Sequence, residues 1–220
     1  GVANVSGSHE GLQLSTVNFV KDYLSGSQIG VVNYAQKGKG VQFGIVNICG
    51  YDDGVLPIGL FNVVRHGYYA FEVSTNELFI TSLSYKMGKE KFYSIFRAGI
   101  GEHNSKSVFS TGFGFGSIIT IKGNHKLNMG LICDALHYNW KWGDEKMNLL
   151  NHFNLNYQYQ VTKHFAINAG PSFNTFVTNQ KENGEFADVI KIPHTLFEHT
   201  GGKYKVAGWV GFNAGIVFSI

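Results

Sequence analysis

The stretch Trp209-Val-Gly-Phe-Asn-Ala-Gly-Ile-Val-Phe-Ser-Ile220 decides the fold, because its residues alternate between two kinds. Apolar residues occupy every second position from Val210 to Ile220, and the positions between them are mostly glycine, amide or hydroxyl residues. Successive side chains of a β-strand point to opposite faces. The stretch is therefore predicted to be a strand with one apolar face and one face of mainly small or polar side chains.

The same alternation occurs in earlier parts of the chain. Segments 108–122, 147–161 and 163–178 each combine a face of Phe, Tyr, Leu or Ile with a face rich in Gly, Asn, Gln or Ser. Short polar or glycine-containing connections separate these segments, as expected for antiparallel neighbours. The sequence predicts eight antiparallel strands that close into a barrel over residues 68–220: 68–75, 77–86, 91–101, 108–122, 126–140, 147–161, 163–178 and 205–220.

The chemistry of the two faces indicates which one is inside. The polar faces lack the Lys and Glu of a water-exposed surface, and the interior of a small barrel cannot hold so many aromatic side chains. Strands of about 9–11 residues suit a bilayer, and tight connections alternate with longer ones, of which 179–204 is the longest. The predicted fold class is all-β, with an eight-stranded antiparallel transmembrane β-barrel.

Composition agrees with this prediction and excludes some functions. Charged residues make up 15% of the 220, while Gly (28), Phe (18) and Tyr (11) are frequent, which is typical of β-strands with tight turns. The net charge is only +3, with acids and bases interspersed, so a nucleic-acid partner is not expected. Cys49 and Cys133 lie far apart and are interpreted as small apolar fillers rather than as a disulfide or metal site.

Residues 1–67 contain a repeat of 14 or 15 residues. Gly26-Ser-Gln-Ile-Gly-Val-Val-Asn33 and Gly40-Val-Gln-Phe-Gly-Ile-Val-Asn47 are two of its four units, and Pro57 takes the Gln position of the fourth. Stacked short coils would bring the equivalent amides into register, where they can pair as ladders. The predicted ladder residues are Gln13, Gln28, Gln42, Asn18, Asn33, Asn47 and Asn62.

Two structures remain open for the repeats. In the third unit the apolar parity changes after Ile45, which a straight strand does not allow and a corner near Gly44 would explain. This change favours a solenoid-like β-repeat region over residues 1–67. The alternative is that each unit forms a further barrel strand, giving a single barrel of about twelve strands.

The segments 40–47 and 56–68 resemble the surface-repeat proteins common in Bacteroidota, in which such repeats precede a predicted barrel. Lys91-Phe-Tyr-Ser-Ile-Phe-Arg-Ala-Gly99 is similar to that family as well, and the final strand resembles the C-terminal signal read by the outer-membrane assembly machinery, although it ends on Ile220 rather than Phe. The resemblance implies an outer-membrane location and a shape, and it implies no established activity.

A few charged residues fall on the polar parity of predicted strands. Buried charges need partners, and Glu72 with Arg97 is the pair predicted across neighbouring strands. These residues are expected to hold a packed interior closed, and the alternative is a selective constriction. The candidate interior charges are Glu72, Lys86, Arg97, Lys122 and Asp134.

No catalytic, cofactor or metal site is predicted. The nine histidines show no metal-binding spacing, and Asp134 with His137 would form a poor dyad because they lie on opposite strand faces. Aromatic residues near strand ends are predicted to form interface girdles. They are Tyr138, Trp140 and Trp142 towards one end and Tyr157 and Tyr159 towards the other.

The expected function is a non-enzymatic outer-membrane protein, acting as a structural or accessory subunit of an outer-membrane assembly. Its expected partners are outer-membrane lipid and a protein bound through the repeats or through loop 179–204, which could instead fold over the barrel mouth. The two alternatives are a small pore or passive transporter, and a lipid-modifying enzyme that depends on His137 or His152.

Overall fold

The computed structural model describes residues 1–51, 54–103, 106–138, 146–182, 185–186, 190, 192 and 194–220. Every regular element in these ranges is a β-strand, and they contain no helix with the length and hydropathy needed to cross a membrane. The strands are β1 Ala3–Ser6, β2 His9–Leu14, β3 Val17–Ile29, β4 Val32–Cys49, β5 Gly54–Val64, β6 Tyr68–Asn76, β7 Thr81–Lys89, β8 Phe92–His103, β9 Lys106–Lys122, β10 His125–Tyr138, β11 Asn148–Gln160, β12 Phe165–Thr178, β13 Lys181–Glu182, β14 Glu185–Phe186, β15 Phe197–Gly201 and β16 Tyr204–Ser219.

Eight strands form a closed barrel. Strands β6 to β12 pair in sequence order, and β16 lies between β12 and β6 and closes the sheet. The registers of β9 to β12 and β16 are antiparallel, for example Ala169 with Ala214. The prediction of an eight-stranded antiparallel barrel is confirmed. The twelve-stranded alternative is wrong, because β1 to β5 pair in a separate, parallel sheet.

The second barrel strand begins four residues later than the predicted 77–86. Asn76 accepts the N–H groups of Leu78 (3.0 Å) and Phe79 (2.7 Å) through its side-chain oxygen, which makes a local turn. An Asx turn of this kind replaces strand pairing with side-chain capping. Leu78 and Phe79 become buried as a result.

The two faces of the barrel wall differ as the alternation predicts. In β16, Phe212 is 60% exposed on the outside, whereas Trp209, Asn213 and Val217 are buried. Tyr157 on β11 and Phe173 on β12 are likewise exposed, whereas His152 and Ser172 on the same strands are buried. Along the described barrel strands, no charged side chain lies on the exterior between the strand ends.

The repeats stack as parallel coils. Strand β3 pairs with β1, β2 and β4, and β4 pairs with β5, so that Asn18 aligns with Asn33 and Asn47 with Asn62. Gln42 and Asn47 are both buried although they are five positions apart. An odd spacing would place them on opposite faces of a straight strand, so the chain must turn a corner, as predicted near Gly44. The solenoid-like prediction is confirmed. A small apolar core fills the stack: Val20, Leu24, Ala35, Cys49, Val55 and Val64.

Contacts divide the chain into two units. Residues 1–70, 86–94 and 220 form the first, and residues 71–85 and 95–219 form the second. The predicted boundary at residue 68 does not separate out the 86–94 hairpin, whose contacts lie with the repeats. Within this first unit the Tyr68 and Tyr93 rings lie 5.1 Å apart, and buried Lys86 lies over the Tyr93 ring.

Candidate functional site

A continuous chain of asparagine amides runs through the repeat stack. Asn4 donates to Asn18 (3.1 Å), Asn18 to Asn33 (2.9 Å), Asn33 to Asn47 (2.9 Å) and Asn47 to Asn62 (3.0 Å). Each bond joins Nδ2 of one residue to Oδ1 of the next, so all of them point the same way along the stack. The four predicted asparagines thus form one ladder, with Asn4 as a fifth member that the repeat pattern did not include.

Ser94 ends this ladder. Asn62 donates to its hydroxyl at 2.9 Å, and the hydroxyl donates in turn to the carbonyl oxygen of Gly59 at 2.7 Å. The Asn62 amide also donates to the Gly59 carbonyl at 3.0 Å, so Ser94 supplies the acceptor for its second N–H group. Ser94 lies outside the repeats in sequence, so the spacing of Asn residues could not identify it.

A second ladder of glutamines runs in the opposite direction. Gln42 donates to Gln28 (2.9 Å), Gln28 to Gln13 (2.8 Å) and Gln13 to the hydroxyl of Ser6 (3.1 Å). Pro57 is the register partner of Gln42 and has no amide to donate. The thiol of Cys49 occupies that place and contacts the Gln42 oxygen at 3.1 Å. Cys49 therefore packs in the core, as predicted, and also caps a ladder.

The barrel interior holds a second cluster of buried polar groups, centred on Asp134. Oδ2 of this carboxylate lies 3.4 Å from Nη1 of Arg97 and 3.0 Å from Nε2 of His152. Arg97 also donates to the Ser82 hydroxyl at 2.9 Å, and its guanidinium lies over the Phe79 ring at 5.3 Å. The three side chains come from β8, β10 and β11, so the cluster joins non-adjacent parts of the wall.

His152 has a close polar neighbour at each ring nitrogen. Its Nε2 faces the carboxylate of Asp134, which can only accept. Its Nδ1 lies 2.8 Å from Oδ1 of Asn174, whose Nδ2 donates to Glu77 (2.8 Å) and Ser172 (3.0 Å). Both ring nitrogens are therefore engaged by buried polar groups. Asp134 lies between the Arg97 guanidinium and the His152 ring.

Glu77 extends this cluster towards β16. Its carboxylate accepts from the indole N–H of Trp209 at 2.7 Å and from the backbone N–H of Phe212 at 3.2 Å. Glu77 belongs to the turn that follows Asn76, which brings the acid to the wall at β16. Asn174 bridges His152 to Glu77.

Glycines make room for these carboxylates. A Cβ on Gly112 would lie 1.9 Å from Oδ1 of Asp134, and a Cβ on Gly211 would lie 2.0 Å from Oε1 of Glu77. No side chain larger than hydrogen fits there without moving the acid. The Gly112-x-Gly114-x-Gly116 run therefore shapes the interior beside Asp134.

The predicted interior charges are only partly brought together. Arg97 and Asp134 pair, whereas Glu72 is buried elsewhere and accepts from Asn168 at 3.1 Å. The predicted Glu72–Arg97 pair is wrong, because β7 lies between their strands. Lys122 is exposed at the end of β9 and does not belong to the buried set.

An apolar cluster fills the interior beside the charges. Ile190 and Ile192, from the predicted loop 179–204, pack against other members of this cluster. Tyr138 also packs against the cluster, which corrects its assignment to a girdle, while Trp140 and Trp142 lie outside the described residues. Tyr157 and Tyr159 are exposed, as a girdle requires. The buried members are Leu78, Phe79, Val108, Leu136, Leu150, Phe176, Ile190 and Trp209.

This geometry does not suit nucleophilic catalysis. A serine hydrolase needs one imidazole nitrogen free to accept a proton from the hydroxyl, and both nitrogens of His152 are already engaged by Asp134 and Asn174. His137, the other histidine considered, contacts the Phe109 ring rather than Asp134. Within the described ranges, no group of three or more His, Cys, Asp or Glu side chains could hold a metal ion.

Comparison of the chain with protein families, with curated proteins and with solved structures finds no match. The features that bear on function are the interior of the barrel, its exterior and the repeat stack.

Proposed function

We propose that this chain is a non-enzymatic β-barrel protein of the bacterial outer membrane, in which the barrel serves as an anchor. In this proposal the chain is a structural or accessory subunit of an outer-membrane assembly, and the repeats are the part presented to other components. The observation that carries the proposal is the combination of an apolar exterior with an interior filled by the protein's own side chains.

The exterior supports the membrane part of the proposal. Bulky apolar residues such as Leu131, Phe153 and Phe212 are about half exposed on the outside of the wall. A soluble barrel would leave these side chains in water, whereas lipid-facing strands need them. The resemblance of the repeats to bacterial surface-repeat proteins favours the outer membrane in particular.

The interior favours an anchor over a pore. The apolar cluster that includes Phe79, Ile190 and Trp209 lies beside the Arg97–Asp134 pair. Eight-stranded barrels are narrow enough for side chains to fill them, and an ion would have to displace both groups. The lipid-modifying alternative receives no support from His152, because both of its ring nitrogens are occupied.

One purification tests this proposal against the pore. We expect the full chain, extracted in mild detergent, to migrate as a complex larger than a monomer, and we expect the same material to give no conductance steps in planar bilayers. A heat-denatured sample is the control for detergent artefacts. Stable channels would favour the pore alternative, and a lone monomer would contradict the accessory role.

A further inference from the structure

Charge is divided sharply between two halves of each repeat coil. The segments 11–19, 26–34, 40–48 and 55–63 contain no charged residue. The charged residues of the described coils lie in the remaining halves and are exposed: Glu10, Lys21, Asp22, Lys37, Lys39 and Arg65. Such a division gives the stack one apolar side and one charged side, in the way that an amphipathic helix has two faces.

The uncharged half exposes large apolar side chains in register. Leu14 aligns with Ile29, Ile29 with Phe43, and Phe43 with Ile58. Phe43 is 57% exposed. A second column lies two residues further along each coil. We call the two columns the apolar face: Leu14, Ile29, Phe43, Ile58, Val31, Ile45 and Leu60.

Polar groups beneath this face are satisfied internally. The repeat amides behind it, Gln28, Gln42, Asn33 and Asn47, are fully buried and paired in the ladders. The backbone of each middle coil is hydrogen-bonded to coils on both sides. Internal satisfaction of polar groups is the condition for contact with hydrocarbon.

We infer that the apolar face of the repeat stack lies against membrane lipid, with the charged half of each coil turned to water. This makes the repeats a second, monotopic membrane contact in addition to the barrel. The inference rests on the proposed function in one respect, since it requires that the chain be held at a membrane. Strand β5 ends at Val64 and β6 begins at Tyr68, so three residues join the repeats to the first barrel strand.

The composition of the face favours lipid over a protein partner. The cores of protein interfaces are enriched in Tyr, Trp, Phe, Met and Arg and are surrounded by polar residues. The apolar face consists of aliphatic residues and a single Phe, and residues of different shape follow each other within one column. Lipid chains adapt to any such outline, whereas a protein surface must match it. Apolar side chains on one face and charged residues on the opposite face are typical of interfacial membrane segments.

Site-specific fluorescence quenching in the full chain tests the inference. A Cys133→Ser chain leaves only buried Cys49, so a new cysteine at Phe43 or Ile29 can carry an NBD label. Lys21→Cys on the charged half is the matched control. In liposomes that contain doxyl-labelled acyl chains, we expect labels at 43 and 29 to be quenched several-fold more by the lipid, and several-fold less by aqueous iodide, than the label at 21.

A label on the native Cys133, on the outside of the barrel, distinguishes failure of this inference from failure of the proposed function. Iodide quenching at 43 and 29, together with lipid quenching at Cys133, would overturn the inference and leave the membrane barrel intact. Iodide quenching at all sites would overturn both this inference and the proposal of a membrane barrel. Protection of 43 and 29 from both quenchers would show that protein covers the face, which also overturns the inference. Resistance of Cys49 to alkylation confirms that each variant is folded.

Discussion

Replacing Asp134 with Leu is expected to destabilise the barrel by about 3–5 kcal/mol, the usual cost of removing one partner from a buried ion pair. The carboxylate lies between the Arg97 guanidinium and the His152 ring, and it is completely buried. Its loss leaves the buried Arg97 guanidinium without this ion-pair partner. Urea titration of the reconstituted chain, followed by the fraction of folded protein on unheated gels, measures the change.

Two controls make this result specific. Asp134→Asn keeps the volume and one acceptor oxygen, so we expect a smaller loss than for Leu. Glu102→Ala removes an exposed acid near the end of β8 and should change stability by less than about 0.5 kcal/mol. If Asp134→Leu unfolds at the same urea concentration as the native chain, the cluster does not stabilise the barrel.

The second large effect is expected in the repeats. Asn33→Ala interrupts the middle of the asparagine ladder, leaves the Asn47 oxygen without its ladder donor and removes the ladder acceptor of Asn18. Each buried polar group without a partner costs about 1–3 kcal/mol. We expect a loss of at least about 2 kcal/mol, which is roughly a 30-fold change in an opening equilibrium.

Cys49 provides the readout for this loss. Its thiol is buried in the stack, so alkylation in a Cys133→Ser chain reports how often the stack opens. We expect Asn33→Ala to be alkylated roughly 30-fold faster than the parent. Asn4→Ala, at the partly exposed end of the same ladder, should change the rate little. Equal rates for the two variants would mean that the ladder does not support the stack.

Sequence periodicity was sufficient for the main elements. A two-residue period identifies β9 to β12 and β16, because a strand between two environments must alternate apolar and polar side chains. The 14- to 15-residue period identifies the ladder from Asn18 to Asn62, because identical polar side chains at equal spacing come into register in a stack. Both inferences need only local pattern and the geometry of a strand.

Contacts between distant segments were not predictable in this way. Parity places Asp134 in the interior. It does not identify His152 as the partner of Asp134, because that pairing depends on the register between barrel strands. The nearest histidine in sequence, His137, lies on the other face of the strand. The turn that brings Glu77 inside depends on Asn76 capping two backbone N–H groups. Ser94 caps the ladder from another part of the chain, and no spacing rule connects it to Asn62.

Cys133 shows where parity and residue type give different answers. It was interpreted as a small apolar filler, yet it is exposed. It lies on the same side of β10 as Leu131, which is 58% exposed. The odd-numbered positions of this strand face outward, so Cys133 does not pack in a core. The parity of its position therefore predicts its exposure correctly, whereas its residue type does not.

The exposed position of Cys133 makes a direct test of the central proposal possible, which is that the apolar exterior of the barrel faces lipid. A nitroxide attached to this thiol in the native chain, reconstituted in liposomes, reports collisions with oxygen and with a water-soluble nickel chelate. Oxygen dissolves in hydrocarbon and the chelate does not. We predict frequent collisions with oxygen and few with nickel. Frequent collisions with the nickel chelate in folded, liposome-bound protein would contradict the proposal.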